Sequence, residues 1–449
     1  MTLAQNHLLP LSGNKHFLAT FLLIIFYKMI IACGSAPSPF KETQHILKVD
    51  TTTSLNLDSL ALEDSIQNAK QFFKEEYNIA LLLPLYLDSV NKFYEIDEEP
   101  IYPKSLIGIE FYEGILLALD ELKTDFSINV NVYDTKKSIV AVEKILLDTS
   151  FKKNDLIIGP IYNNTARLVA RYAKNNKTPM FAPFSPSTTV TEKNPYYIML
   201  RASIERHCDK IYDFIKHDTA RKKLFIIHRD DPFENDISEY FQEIIQADTN
   251  GFLAKNDSLI YTFKISFEDQ LDSTMLDSTL SEIYQNYIIV PSFNEAFANH
   301  ALNQFHRFSS IHPSLTFGMP NWDKFHSIRI DNLIELNVHL TKDFIIEDKN
   351  PLIKSIQTNY NKKYKGQTEQ YCFAAYDLMQ YIKLLLEKYG TDFSQHIIDE
   401  PADNSIARYN FHYEMILNNE NKEEINYIEN NHTYLFKFDN FKWINVKDE

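Results

Sequence analysis

Glycine is scarce in this chain: nine residues in 449, where an average protein carries about 7%. A glycine kept against that background marks a place where a larger residue would not fit. The scarcity also excludes the usual phosphate loops, since neither GxGxxG nor GxxxxGK[ST] occurs. Cysteine is equally sparse. Cys33, Cys208 and Cys372 show no CxxC or histidine spacing, so no zinc site is supported. Cys208 and Cys372 fall on segments that both read as helices, and either two buried thiols or one disulfide fits them. Catalytic signatures are missing as well. There is no GxSxG elbow and no HExxH, and Ser150-Phe151-Lys152-Lys153 matches SxxK without the KTG and SDN companions. His300, His306 and His312 recur every six residues, which does not stack them on one helical face. The acidic residues show no glycosidase spacing. An enzyme is therefore not expected, and no cofactor or metal is implied.

Basic charge is short too. The formal net charge is −16, or −18 without residues 1–32, which carry Lys15 and Lys28 and no acids. No basic run reaches five residues, and Arg221-Lys222-Lys223 reads as a solvated helix end or turn. Nucleic acid is excluded as a partner. What the chain does have is 44% hydrophobic and 24% charged residues, the balance of a folded protein, and a length that exceeds one ordinary core. Two lobes or domains are expected.

The N-terminus carries the sharpest short signal. An apolar stretch, FLATFLLIIFYKMIIA, is too short and too interrupted by Lys28 for a span of about 20 apolar residues. It ends at Ile30-Ile31-Ala32-Cys33-Gly34-Ser35, which resembles a bacterial lipobox. Residues 1–32 are then a lipoprotein signal peptide and Cys33 the lipidated first residue of the mature chain. An ordinary secretory signal or an uncleaved anchor is the alternative. Residues 34–58 are polar and read as a tether, and 59–76 as a leading helix, so that 33–76 precedes the folded body.

From residue 77 the chain alternates buried strand and amphipathic helix. Strands are expected at 78–83, 128–133, 156–158 and 179–183, with helices at 109–122, 139–147 and 164–173 between them. The rhythm restarts at 224–228, passes through a helix at 237–246, and shows again at 288–291 and 315–319. Such alternation signals right-handed crossovers and parallel sheets. Two successive sheets mean two lobes. Gly159 and Gly318 each follow an apolar strand, and ligands of open α/β sheets bind outside the carboxyl ends of the strands.

Five strings in order, YNIALLLPLYLD from Tyr77, GIEFYEGILLALDEL, NVYDT, DLIIGPIYNNTARLVARYAKNNKTPMFAPFSPST and NPYYIMLR, carry a resemblance. They resemble the first lobe of type I periplasmic-binding proteins of the leucine/isoleucine/valine-binding class. The match is nearest a Bacteroidetes branch of envelope lipoproteins, sometimes fused to LysM repeats, though no such repeat is visible here. The resemblance implies two doubly wound lobes joined by a three-strand hinge near 201, 337 and 400. Lobe 1 would hold 77–201 plus 338–400, including a helix over 371–389, and lobe 2 would hold 202–337 plus 401–449.

It also implies a ligand site between the lobes. On lobe 1, Tyr86 follows the first strand, Asn163, Asn164 and Thr165 follow Gly159-Pro160, and Ser185, Ser187 and Thr188 follow the next strand, as a hydroxyl and amide cradle for a carboxylate. Asn163 or Asn164 and Ser187 equally read as helix N-caps. On lobe 2 the candidates are Asp231, Phe233, Ser292, Trp322 and Asp323, with Trp322 read as cleft lining or as core packing. The amino-acid binders place an acid where Gly318-Met319-Pro320-Asn321-Trp322 has none until Asp323. Two functions follow. One is a lipid-anchored solute receptor that holds a small polar, amino-acid-like ligand for an ABC permease. The other is a regulatory or protein-interaction lipoprotein of the envelope, similar to activators of peptidoglycan synthesis. Either places the protein in the periplasm, anchored to the outer or inner membrane by lipid alone.

Overall fold

The computed structural model describes residues 72–89, 102–217, 222–248, 259–266, 272–346, 349–402 and 406–446. The expected signal peptide, Cys33 and the tether lie outside these residues. Of the leading helix only 72–76 is described, and Glu76 opens a strand instead.

Each lobe is built on a seven-stranded sheet with the same winding. In the first, β1 (Glu76–Leu83), β2 (Ser127–Asp134), β3 (Leu156–Ile158), β4 (Met180–Ala182) and β5 (Tyr197–Met199) lie in the order β2-β1-β3-β4-β5. In the second, β6 (Lys222–His228), β7 (Leu259–Lys264), β8 (Gln285–Ile289), β9 (Ser314–Gly318) and β10 (Val338–Lys342) repeat it as β7-β6-β8-β9-β10. All ten pair in parallel within their sheets. The central strands are continuous apolar runs such as Ile79–Leu83 and Leu224–Ile227, buried throughout because helices cover both faces.

The helices carry the covering faces. In the first lobe α1 (Leu106–Glu121) lies on one face of the sheet, and α2 (Ile139–Leu147) and α3 (Asn163–Asn176) on the other. The second lobe uses α4 (Ile204–His217), α5 (Pro232–Ala247), α6 (Ser273–Thr279), α7 (Glu295–His306) and α8 (Ile330–Glu335). Two later helices, α9 (Pro351–Tyr364) and α10 (Gln370–Tyr389), return to the first lobe. The apolar face of α10, with Cys372, Tyr376, Met379, Ile382 and Leu386, packs on Phe111 and Ile115 of α1 at helical spacing.

The hinge differs from the expectation at two of its three strands. Segment 338–342 is β10 of the second sheet, because Val338 pairs with Thr316 of β9. The C-terminal segment splits in two. β11 (Phe411–Leu417) and β12 (Glu423–Asn430) join the first sheet, with Ile428 of β12 in parallel register with Ile198 of β5. Only β13 (Tyr434–Asp439) and β14 (Lys442–Val446) complete the second sheet, with β13 antiparallel to β10. The chain thus crosses between sheets after Met199, after Lys342 and after Asn430. Non-local pairing decides sheet membership, and local pattern cannot show it.

Two further expectations change on packing grounds. Lys222 is no solvated turn residue: it begins β6, is fully buried, and donates from Nζ to the Ile215 carbonyl at 2.5 Å. Cys208 and Cys372 are free buried thiols in different lobes. Burial pushes the Cys372 thiol up to about 12, which keeps it protonated and unreactive. Among the three spaced histidines, the partly exposed His306 lies 3.3 Å from Glu335, and the buried His312 lies 3.0 Å from the exposed Asp277.

Candidate functional site

A cleft of about 920 Å³ opens between the carboxyl ends of the two sheets. Both sheets share one winding order, so the loops that follow their strands converge on it. The loop after β4 brings Phe184, Ser187 and Thr188, and the loop after β9 brings Asn321 and Asp323. Tyr371 and Gln370 enter from the start of α10, and Phe233 and Phe293 stand on the second-lobe side.

Four of the expected residues, Ser187, Thr188, Phe233 and Asp323, line this space. Ser187 does not cap a helix, since the chain continues as a turn and its Oγ lies 3.1 Å from Thr189 Oγ1. Phe233 is half exposed and packs beside Phe293, with ring centroids 5.7 Å apart. Asp323, in the turn after β9, pairs with Lys342 at the end of β10.

The other eight lie outside the cleft lining, and their partners explain why. Tyr86 sits in a turn where the Asp134 carboxylate accepts its N–H at 3.0 Å, and its ring meets Tyr102 edge-on. Asn163 and Asn164 are exposed in the first turn of α3, whose N-cap is Tyr162 without a side-chain cap, so neither asparagine is the cap. Thr165 is buried and donates to the Tyr162 carbonyl at 2.9 Å. Ser185 is buried, with Oγ accepting the Ser187 N–H at 3.4 Å. Asp231 caps α5, accepting from Phe233 N at 3.1 Å and Glu234 N at 3.3 Å. Ser292 is buried and gives its hydroxyl proton to Glu234 at 2.5 Å, inside a network closed by Arg229. Trp322 is 2% exposed and donates from Nε1 to the Ser292 carbonyl at 2.8 Å. Its ring fills the space over Gly318, where a Cβ would lie 2.2 Å from the indole. Gly159 answers a different demand, a φ of +91° with the Leu82 carbonyl 2.5 Å from any added Cβ.

Several lining residues come from the crossings and helix starts. Arg201, just past β5, pairs with Asp343 at 3.0 Å and is held between the rings of Phe184 and Phe344, at 5.4 and 5.0 Å. Because Arg201 and Asp343 sit on two different crossings, this pair ties the hinge together. His207 is buried on α4 with Nδ1 2.8 Å from Thr341 Oγ1, and burial lowers its pKa to about 4, so it lines the cleft uncharged. Glu205, one turn earlier than Cys208 on the same helix, reaches the cleft with a buried Oε2 that has no hydrogen-bond partner among the described residues. Asp323 Oδ1 and Asn321 Oδ1 are buried in the same unpartnered way. The second-lobe wall is therefore rich in acceptors that lack donors. A sequence signal existed for Arg201, a charged residue ending the apolar run YIML, but none for Glu205.

Two mixed sheets whose parallel strands share one winding, three crossings and a cleft at the carboxyl ends of those strands define the type I periplasmic-binding fold. The chain belongs to the receptor family ligand binding region, whose family model matches residues 112–377, more than half of it. No curated protein matches it in sequence. Solved structures share the fold at low identity. A putative branched-chain amino acid ABC transporter protein from Rhodospirillum rubrum aligns with a TM-score of 0.58 at 10% identity, covering 83% of this chain and 100% of that one. A branched chain amino acid ABC transporter periplasmic ligand-binding protein from Burkholderia xenovorans gives 0.51 at 12%, covering 83% and 94%. An ABC transporter substrate-binding protein from Desulfitobacterium hafniense, in complex with Leu, gives 0.50 at 13%, covering 83% and 100%. Among the described residues no helix is long and apolar enough to cross a membrane.

Proposed function

We propose that this protein is a solute-binding lipoprotein of the cell envelope, which closes two lobes on a small amino-acid-like solute and passes it to an ABC permease. The observation that carries the reading is the set of donor-less acceptors, Glu205 Oε2, Asp323 Oδ1 and Asn321 Oδ1, on the second-lobe wall. Buried acceptors without protein donors cost free energy unless water or a ligand supplies the donor, and an ammonium group that displaces water supplies three. Glu205 thereby offers an acid where none follows Gly318 before Asp323, whose other oxygen is paired with Lys342. The hydroxyls of Ser187 and Thr188 offer donors for a carboxylate on the first-lobe side. Leucine, bound in the D. hafniense protein, has both of these ends.

A thermal-shift screen of amino acids, sugars and muropeptides tests the reading. One amino acid should stabilise the wild type, and Glu205→Gln should weaken its binding tenfold or more, since a hydrogen bond to a charged group contributes about 1.5–3 kcal/mol. The melting temperature of the ligand-free variant should hardly move. Equal affinity in wild type and Glu205→Gln would remove the acceptor wall from the account.

The proposed anchor is supported by Ile30-Ile31-Ala32-Cys33, whose resemblance to a lipobox would make Cys33 the mature N-terminus. Cys33→Ser is expected to release the protein from the membrane fraction or leave an unprocessed precursor. Detergent partitioning reads this out, and normal lipid labelling of the variant would contradict it. A regulatory module of the envelope is the second reading. It is favoured by the exposed Phe233–Phe293 pair in the cleft lining, an aromatic contact suited also to a protein partner.

A further inference from the structure

At the edge of the first sheet, away from the cleft lining, β11 and β12 collect three side chains that share one face. His412 and Glu414 are two residues apart on β11 and so point the same way. Glu429 of β12 stands directly across from His412 in the antiparallel register. Their ligand-type atoms all lie within 4.8 Å of one another. His412 Nε2 is already 2.6 Å from Glu414 Oε1, and Glu429 is 1% exposed.

We propose that His412, Glu414 and Glu429 form a binding site for a divalent transition metal, zinc above all. One imidazole nitrogen and two carboxylates suit zinc, which takes such ligands at about 2.0–2.2 Å in tetrahedral geometry. Tetrahedral ligands then stand roughly 3.3 Å apart, so the side chains need to move by only about an ångström. Arg206 pairs with the two carboxylates only at long range. Arg206 lies 3.6 Å from Glu414 and 4.0 Å from Glu429, beyond hydrogen-bonding distance, and commits Nη1 to Asp209 at 2.7 Å. Asp209 in turn accepts from Tyr240 at 2.8 Å, so further negative charge stands behind the arginine.

A second observation points to a ligand. Ser203, 1% exposed, donates its backbone N–H to Glu429 Oε1 at 2.6 Å. Its buried Oγ makes no hydrogen bond within geometric limits among the described residues. Water in the fourth coordination position of a metal would donate to it. Ser203 and Arg206 sit on the first crossing and on α4, whereas the three ligands belong to the first sheet. A metal here would therefore sit on the first sheet beside the first crossing, outside the solute cleft.

The test is zinc binding by the full-length protein, stripped with chelator and dialysed. Titration calorimetry with zinc chloride and elemental analysis after dialysis should show one zinc per chain. His412→Ala and Glu414→Gln should each weaken binding at least tenfold, because both side chains are partly exposed on an edge strand and tolerate replacement. The exposed His326→Ala serves as a control and should bind as the wild type does. Failure to retain stoichiometric zinc, or unchanged binding in both ligand variants with melting curves like the wild type, would overturn the site. Calcium or magnesium binding with no zinc would overturn it equally, since those ions take oxygen ligands. None of these outcomes depends on the solute, so the site fails or stands separately from the cleft.

Discussion

Trp322→Ala should lower the free energy of unfolding by about 3–5 kcal/mol, the usual cost of emptying a large aromatic site in a core. The indole is 2% exposed, fills the space over Gly318, and bonds through Nε1 to the Ser292 carbonyl at 2.8 Å. Its removal leaves a cavity and an unpaired buried carbonyl together. Trp322→Phe keeps most of the packing and loses one hydrogen bond, about 0.5–1.5 kcal/mol. Urea denaturation of both variants measures this. The amino acid that stabilises the wild type should still bind Trp322→Phe with unchanged affinity, because the ring does not line the cleft. A large loss of affinity with little loss of stability would return Trp322 to the site.

Asp377 should make stability depend on pH. It lies on α10, 2% exposed, and accepts from Ile406 N at 2.8 Å and Ala407 N at 3.0 Å, which pins the segment leading into β11 to the first lobe. Burial is the largest influence on its carboxyl and raises it to about 7, against the lowering effect of those two N–H groups and of Tyr409. In the unfolded chain the same group titrates near ~3.9. Between these values the folded state holds a proton that the unfolded state has released, so stability from this group is full below about pH 4 and is lost as pH rises through 7. The shift corresponds to an order of magnitude of ~4 kcal/mol. Wild type should therefore lose roughly 1–4 kcal/mol relative to Asp377→Asn between pH 4 and pH 8. Comparing the two proteins cancels the other titrating groups. A pH-independent difference would show that Asp377 stays ionised in the fold.

The parallel strands were legible because their buried runs, Ile79–Leu83, Leu156–Ile158 and Leu224–Ile227, cannot be anything else between amphipathic helices. The hinge was not. Val338–Thr341 and Ile425–Ile428 mix apolar and polar residues in a way that suits a strand of either sheet, and only their pairing with Thr316 and Ile198 assigns them. In the site, Ser187, Thr188, Phe233 and Asp323 were readable because each follows a strand end. Thr165 and Ser292 occupy similar positions, but their hydroxyls are spent on Tyr162 and Glu234. Trp322 carried a usable sign in Gly318 four residues earlier, a gap in the side-chain layer that the ring fills. Glu205 and His207 reach the cleft from α4, and helix faces toward an interlobe space depend on how the crossings set the lobes.

In the proposed function the cleft of about 920 Å³ holds a solute between lobes that close on it. Closure requires a ligand with different affinity for the open and closed states. Small-angle scattering of the folded body with and without the stabilising amino acid measures it most directly. A decrease in the radius of gyration that is present in the wild type and absent in Glu205→Gln at the same solute concentration is the predicted result. If a broad solute set produces neither compaction nor thermal stabilisation, while envelope extract yields a stable protein partner, the solute-binding account is contradicted.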